Sequence, residues 1–192
     1  MPNWCSTRYR LTGEGAVKLN NLIEENKRSE KENWDWLGHI VRQLGGDEGK
    51  LYCRGWISDY ELKDDELTIY CETAWGELNE WREFVNKKLD THIYYVAEEP
   101  GNEVYVTNEP DFEYWYQVDY ADGVDGNCGT IVELKTAREV LELVSKVCGV
   151  EVSYADEKQY MKIAETLADK FNEDNEDSDN YIYIHEYEFE DD

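Results

Sequence analysis

The fold is decided by residues 67–97, which read LTIYCETAWGELNEWREFVNKKLDTHIYYVA. Apolar and polar residues alternate from 67 to 73, a pattern typical of a half-buried strand. The apolar residues that follow recur at helical spacing: Leu78, Trp81, Val85 and Leu89. Alternation returns at residues 93–97, so the stretch predicts a strand, an amphipathic helix and another strand.

The segments that precede this stretch predict the same kinds of element. Residues 3–12 alternate and end at Gly13, which indicates a first strand. Two helical stripes follow, separated by a polar stretch, and Gly45-Gly46 ends the second of them. Residues 51–62 predict a strand that a polar turn joins to the next one. The order up to residue 98 is therefore β-α-β-β-α-β, the split β-α-β arrangement of the ferredoxin-like fold.

The remaining residues predict further strands and helices. Strand patterns lie at residues 103–107, 112–118 and 181–189, and one helix follows a capping box formed by Thr136 and Glu139. A last helix covers residues 156–171. We expect an α+β protein whose ferredoxin-like core, residues 1–98, has its antiparallel sheet extended by extra strands and two C-terminal helices. Residues 99–192 are expected to pack on the same sheet as an acidic extension, in one compact unit.

The chain is strongly acidic, and the excess of negative charge lies in its second half. Its 192 residues include 19 Lys and Arg against 45 Asp and Glu, a net charge of −26. Residues 89–134 contain 11 carboxylates and no Lys or Arg, and residues 151–192 contain 15 carboxylates against 3 basic side chains. Such a chain repels phosphate, so we expect no direct binding to nucleic acid or to an anionic membrane. A bias towards solubility would produce the same composition.

The sequence contains no pattern of a membrane span or a secretory signal. No apolar run approaches the roughly 18 residues that a membrane-spanning helix requires. The first residues lack a basic region followed by an apolar one, so we expect a cytoplasmic protein.

Residue types that usually carry catalysis or bind metals are scattered. The five cysteines are odd in number and far apart, which disfavours a disulfide framework or a zinc site: Cys5, Cys53, Cys71, Cys128 and Cys148. The three histidines form no metal-binding spacing, and neither a nucleophile elbow nor a phosphate-binding loop occurs. We therefore expect no catalytic residue, no metal and no cofactor.

One acidic stretch partly matches a calcium-binding loop. Asn175, Asp177 and Asp179 occupy the first, third and fifth positions of an EF-hand pattern, and Glu186 occupies the twelfth. The sixth position, however, is Asn180 instead of glycine, and a strand pattern follows where a helix is required. The stretch is better interpreted as an acidic linker.

Two of the predicted strands carry rows of carboxylates: Glu109, Asp111 and Glu113 along the first, and Glu186, Glu188 and Glu190 along the second. We expect both rows to lie on one exposed face. Same-face neighbours on a strand are about 6.7 Å apart, so each row would present regular negative charge to the Lys and Arg of a nucleic-acid-binding protein. Ordinary solvated strand faces are the alternative. The candidate partner-binding residues are these carboxylates, those of the neighbouring acidic stretches and one tryptophan: Glu98, Glu99, Glu103, Glu109, Asp111, Glu113, Trp115, Asp119, Asp122, Asp125, Glu186, Glu188 and Glu190.

Four short stretches resemble one known family. They are MPNWC at residues 1–5, ETAW at 72–75, AEEPG at 97–101 and IYIHEYEF at 182–189. Together they are similar to the YubB-like, ferredoxin-like family of phage, prophage and plasmid proteins. The resemblance implies a mobile-element protein that acts in a bacterial cytoplasm, and it implies no catalytic residues.

The sequence thus predicts a non-enzymatic binding protein of a mobile element. We expect an acidic mimic of nucleic acid that blocks a basic DNA- or RNA-binding host protein, a CRISPR effector or other defence nuclease being one such target. Two alternatives remain open. One is an interaction or assembly module that works through its aromatic surface or as a homodimer, and the other is a small enzyme.

Overall fold

The chain forms an α+β structure that divides into two units. The computed structural model describes residues 3–29, 32–123, 129–152 and 156–191. The first unit consists of Met1–Glu109 together with Phe189–Asp192, and the second unit consists of Pro110–Glu188.

Nine strands and five helices occur in the described residues. In chain order they are β1 (Trp4–Thr12), α1 (Glu14–Arg28), α2 (Gly38–Gln43), β2 (Gly55–Lys63), β3 (Glu66–Ala74), α3 (Asn79–Leu89), β4 (Tyr94–Glu99), β5 (Val104–Thr107), β6 (Tyr116–Ala121), β7 (Thr130–Leu134), α4 (Ala137–Cys148), α5 (Tyr160–Asp174), β8 (Tyr181–Glu186) and β9 (Glu188–Phe189). Short 3-10 helices lie at Pro100–Asn102 and Glu157–Gln159.

The sheet of the first unit has six strands in the order β2-β3-β1-β4-β5-β9. The pairs β2–β3, β3–β1, β1–β4 and β4–β5 are all antiparallel. Tyr9 in the central strand lies opposite Ile69 on one side and opposite Tyr95 on the other. The alternation in the sequence places these three side chains on the same face of the sheet, and all three are fully buried.

Helices α1, α2 and α3 supply the other half of this core. Leu19 and Ile23 of α1 and Trp81 and Val85 of α3 are buried in the same apolar cluster as the inner face of the sheet. The Trp81 ring lies 5.1 Å from the Tyr9 ring, and its Nε1 donates to the carbonyl of Leu37 at 3.4 Å. A buried indole with its N–H bonded is a strong anchor between helix and sheet.

The second unit packs two helices against one face of a three-stranded sheet. The strand order is β7-β6-β8, with β6 antiparallel to both neighbours. Val118 and Ile182 from the sheet are buried with Val140 and Val144 of α4 and with Ala164 of α5. The opposite face of the sheet carries exposed residues, of which Ile131 and Tyr183 are 64% and 53% exposed.

Helix α4 begins at the capping box that the sequence predicted. The Glu139 backbone N–H donates to Thr136 Oγ1 at 3.2 Å, and the Thr136 N–H donates to Glu139 Oε2 at 3.0 Å. Replacing Thr136 with alanine removes one of these bonds and is expected to cost about 1 kcal/mol of local stability. Hydrogen exchange should therefore accelerate about fivefold at the first amides of α4. Thr166→Ala, on the exposed face of α5, is the control, and equal exchange in both variants would contradict the prediction.

The division of the chain differs from the predicted one. The sequence indicated a core that ends at residue 98 and a single sheet shared with residues 99–192. The boundary instead follows Glu109, because β5 pairs with β4 and belongs to the first unit. Strands β6, β7 and β8 form a sheet of their own, and only β5 and β9 extend the first sheet.

Two predicted strands also have different bounds. Residues 110–115 are not part of a strand, because Pro110 begins a turn and has no N–H for a ladder; β6 begins at Tyr116. The predicted strand 181–189 is interrupted at Tyr187, which is buried and whose N–H donates to the carbonyl of Trp115 at 2.9 Å. Strand β7 was not predicted.

Candidate functional site

The first predicted row of carboxylates, Glu109, Asp111 and Glu113, does not lie along a strand. Glu109 is buried, and its two carboxylate oxygens accept from Arg8 at 3.2 Å and from Arg10 Nε at 3.3 Å. It therefore forms ion pairs with two arginines of β1 inside the first unit. Asp111 and Glu113 are exposed in the non-strand segment, and Glu113 forms an ion pair with Lys135.

The acidic residues around β4 and β6 are also only partly available. Glu99 is buried, and its Oε1 accepts from the Gly101 N–H at 3.1 Å, which caps the 3-10 helix. Asp119 is half-buried and accepts from the Tyr181 hydroxyl at 3.1 Å. Glu98 and Asp122 are half-buried, and Glu103 is exposed. Trp115 is 37% exposed, and Asp125 lies outside the described residues.

The second predicted row is divided between the two sheets. Glu186 ends β8, whereas Glu188 belongs to β9, which lies beside β5. Glu190 follows β9; its N–H donates to the Thr107 carbonyl at 2.8 Å, and its carboxylate accepts from the Tyr95 hydroxyl. The break at Tyr187 separates these residues, so the prediction that they form a row along one strand was wrong.

Sequence reasoning missed a different acidic surface, which begins in the last two residues of α5 and continues into the turn that leads to β8. Five carboxylates lie within seven residues there, and all of them are exposed: Glu173, Asp174, Glu176, Asp177 and Asp179. We call residues 173–179 the acidic turn. The stretch was interpreted as a linker because its composition is that of a solvated loop.

The acidic turn is held in place by neutral residues within it and by Asn172, which directly precedes it. The Asn172 side chain donates to the Ile182 carbonyl at 2.8 Å and accepts from the Ile182 N–H at 2.7 Å, which joins α5 to β8. The Asn175 amide donates to the Phe171 carbonyl at 2.8 Å, and Ser178 Oγ donates to the Asn175 carbonyl at 2.9 Å. In the sequence, the Asn and Ser residues spaced between the charged ones are the signal that could have indicated an ordered turn.

A polar pocket of about 980 Å³ adjoins the acidic turn. Its wall includes Asn175 and Ser178 from the turn, Asn180 directly after it, and Tyr181 and Tyr183 from β8. The two tyrosine rings are stacked with their centroids 5.2 Å apart. Rigid aromatic rings beside exposed carboxylates are suited to contact with a basic and partly apolar protein surface.

The net charge of the second unit also favours contact with a basic surface. Residues 110–188 contain 20 Asp and Glu against 6 Lys and Arg, a net charge of −14. Two of those basic side chains, Lys135 and Arg138, already form ion pairs within the unit, with Glu113 and Glu142. The unit therefore has a large uncompensated negative charge, which attracts basic molecules over a distance limited by salt.

A second cluster of interest is buried in the first unit. Glu77 Oε1 accepts from Arg82 Nε at 3.2 Å and from the Tyr9 hydroxyl at 3.2 Å. The Arg82 guanidinium lies 4.9 Å from the centre of the Tyr95 ring. Burial raises the pKa of the Glu77 carboxyl to about 7, although Arg82 and Tyr9 act in the opposite direction. The pocket at the acidic turn includes none of these residues, so we assign them a structural role.

The raised pKa of Glu77 makes the stability of the first unit depend on pH. The folded protein holds the Glu77 proton more tightly than the unfolded chain does, so this stabilisation is complete below the ordinary pKa of 4.5 and is lost as the pH rises through about 7. Relative to Glu77→Gln, the free energy of unfolding should fall by up to about 3 kcal/mol across that window.

Urea unfolding followed by tryptophan fluorescence measures this effect, because six of the seven tryptophans lie in the first unit. Glu61→Gln, an exposed carboxylate of β2, is the control and should follow the parent protein. Parallel pH profiles for the parent and Glu77→Gln would contradict the prediction.

The described part of the chain contains neither a metal-binding cluster nor a membrane-spanning helix. Residues 3–29, 32–123, 129–152 and 156–191 contain no group of three or more His, Cys, Asp or Glu side chains placed to hold a metal ion. The partial calcium-loop pattern is interrupted because Glu186, its twelfth residue, lies at the end of β8. Within the same ranges, no helix is both long and apolar enough to cross a membrane.

Comparison with protein-family models, with curated proteins and with solved structures gives no significant match.

Proposed function

We propose that the protein is a non-enzymatic binding protein whose acidic turn occupies a basic, nucleic-acid-binding surface on another protein. The observation that carries the proposal is the way in which the turn is ordered. The side chains of Asn172, Asn175 and Ser178 form hydrogen bonds within the protein, and the five carboxylates of the turn are exposed. A fixed array of negative charge imitates a phosphate backbone better than a freely moving linker does, because less conformational entropy is lost on binding.

Electrostatics favours a basic protein as the partner over nucleic acid. The net charge of −26 repels phosphate, and the acidic turn lies in a unit of net charge −14. Long-range attraction between opposite charges accelerates association and falls with ionic strength. A host nuclease, including a CRISPR effector, has the required basic groove, and in this proposal the protein excludes DNA or RNA from that groove.

We also propose a fold family and a biological origin for the protein. For residues 4–99 we propose the ferredoxin-like arrangement, which the antiparallel order β2-β3-β1-β4 supports. The resemblance of the MPNWC opening to the YubB-like family supports an origin in a phage or plasmid and action inside a bacterial cell.

Affinity capture from a nuclease-treated bacterial lysate tests the function. The immobilised protein should retain basic nucleic-acid-binding proteins, and added duplex DNA should release them because both compete for one groove. A bound protein that duplex DNA does not release would contradict mimicry.

A second candidate function is an interaction module that uses aromatic contacts, and one observation favours it. Trp75 is 53% exposed and has a φ of +75°, a conformation that bulky residues rarely adopt. Strained, exposed aromatic residues often belong to binding sites. This module would lose its partner, or its dimer, on Trp75→Ala and would tolerate changes of charge in the acidic turn.

A further inference from the structure

The first unit contains a pocket of about 590 Å³ that the acidic turn does not explain. It lies between the loop that precedes α2 and the start of β2. Its lining combines three aromatic rings with carboxylates and one amide: Trp36, His39, Trp56, Glu32, Asp35 and Asn33. Among the described residues, no Lys or Arg belongs to this lining; Lys31, which precedes Glu32 in the chain, lies outside the described residues.

The backbone fixes the two tryptophans relative to each other. Trp36 and Trp56 form an antiparallel bridge. On either side of that bridge, the Leu37 N–H donates to the Gly55 carbonyl at 3.0 Å, and the Ile57 N–H donates to the Asp35 carbonyl at 2.9 Å. The pocket is therefore formed by an ordered extension of the sheet and is present before a ligand binds.

Each indole is also supported by a neighbouring ring. The Trp56 ring lies 4.4 Å from the Trp4 ring, and the Trp36 ring lies 5.3 Å from the His39 ring, nearly perpendicular to it. Gly38 allows this arrangement, because a Cβ at that position would lie 2.4 Å from the Trp36 ring. The rings are thus held in place before a ligand binds, Trp56 by a ring outside the lining and Trp36 by another ring of the lining, which keeps the cost of ordering them on binding low.

This combination of groups selects for a cation. The faces of indole rings carry negative potential, and carboxylates at the same site add to it. The neighbouring surface already shows the interaction: Lys27 lies 5.4 Å from the centre of the Trp34 ring and 5.1 Å from that of Tyr60. An anion would meet the carboxylates of Glu32 and Asp35.

We propose that this pocket binds the cationic end of a lysine or arginine side chain presented by the basic partner protein. The inference rests on the proposed function, since it names a group of that partner, and it adds a second contact on the first unit. A basic groove contains many such side chains, and an aromatic pocket converts one of them from a general electrostatic contact into a specific one.

Small probes test the pocket without the partner. N-acetyl-lysine amide and N-acetyl-arginine amide are titrated against N-acetyl-norleucine amide, which lacks the charge, while the indole N–H resonances of Trp36 and Trp56 are followed by NMR. The charged amides should bind with dissociation constants of about 1–50 mM, and the neutral one about three- to thirtyfold more weakly.

Two variants and two controls complete the experiment. Asp35→Asn removes a charge and Gly38→Ala displaces the Trp36 ring, so each should weaken binding of the charged amides at least about threefold. Gly76→Ala, where a Cβ meets no atom within 4 Å, and Trp115→Leu in the second unit should bind as the parent does.

Choline is titrated as a further probe. Three results would overturn the inference: the neutral amide binds as tightly as the charged ones, the Asp35→Asn and Gly38→Ala variants bind the charged amides as tightly as the parent does, or choline binds and the charged amides do not. The last would assign the pocket to a small ammonium compound. Binding of the charged amides combined with failure of the capture experiment would leave the pocket established and remove the proposed function.

Discussion

Replacing Arg82 with methionine is expected to lower the free energy of unfolding of the first unit by about 3–5 kcal/mol. Arg82 is 5% exposed, and its guanidinium donates to Glu77, Glu83 and Asn79 at 3.2–3.3 Å. Its removal leaves the Glu77 carboxylate buried beside Tyr9 without a cation, and burying an unpaired charge is costly.

The loss should depend on pH in a defined direction. Without Arg82 the pKa of Glu77 rises further, so at low pH the carboxyl is protonated and the destabilisation is smaller. Urea unfolding followed by tryptophan fluorescence at several pH values measures both effects. Lys87→Met, on the exposed side of the same helix, is the control, and the double variant Glu77→Gln/Arg82→Met should recover part of the loss. An Arg82→Met variant as stable as Lys87→Met would contradict this account of the cluster.

Reversing the five charges of the acidic turn to lysine is expected to weaken partner binding at least about 100-fold, because attraction to a basic groove becomes repulsion. The fold should survive, since the side chains of Glu173, Asp174, Glu176, Asp177 and Asp179 are exposed and the bonds of Asn172 and Asn175 are kept. The net charge changes from −26 to −16, and lysines at the end of α5 interact favourably with the helix dipole.

A matched variant separates position from total charge. The same number of exposed carboxylates can be reversed in the first unit, at Glu14, Glu25, Asp59, Glu61 and Asp65. This variant has the same net charge as the first one, so it should lose only the part of the affinity that depends on long-range attraction. Equal losses in both variants would show that total charge, and not the acidic turn, governs binding. Loss of binding in Trp75→Ala, with no effect of either reversal, would favour the aromatic module.

Much of the first unit could be predicted from the sequence because its signals are local. The alternation around Tyr9 and Ile69 and the helical spacing through Trp81 both depend on residues close together in the chain, and the structure places all three in one core. The capping box at Thr136 was also identified correctly, since both of its bonds lie within one helical turn.

The burial of the predicted carboxylates and the order of the acidic turn could not be predicted in the same way, because neither alternation nor helical spacing indicates them. The pairing of Glu109 with Arg8 and Arg10 joins residues about a hundred positions apart, and no local pattern indicates that this carboxylate is buried. Alternation at residues 181–189 likewise continues past Tyr187, where the chain leaves one sheet for the other. In the acidic turn, composition suggested a linker, and only the hydrogen bonds of Asn172, Asn175 and Ser178 identify an ordered surface.

The most direct test of the central claim is a competition measurement on a partner obtained by capture. The partner is bound to a fluorescent DNA or RNA duplex, and the anisotropy of the duplex is followed as the protein is added at several salt concentrations. We expect the duplex to be fully released. The apparent dissociation constant of the partner–duplex complex should rise linearly with the concentration of the acidic protein, and the competition should be weaker at high salt. Formation of a ternary complex, in which the duplex stays bound at saturating protein, would contradict the account.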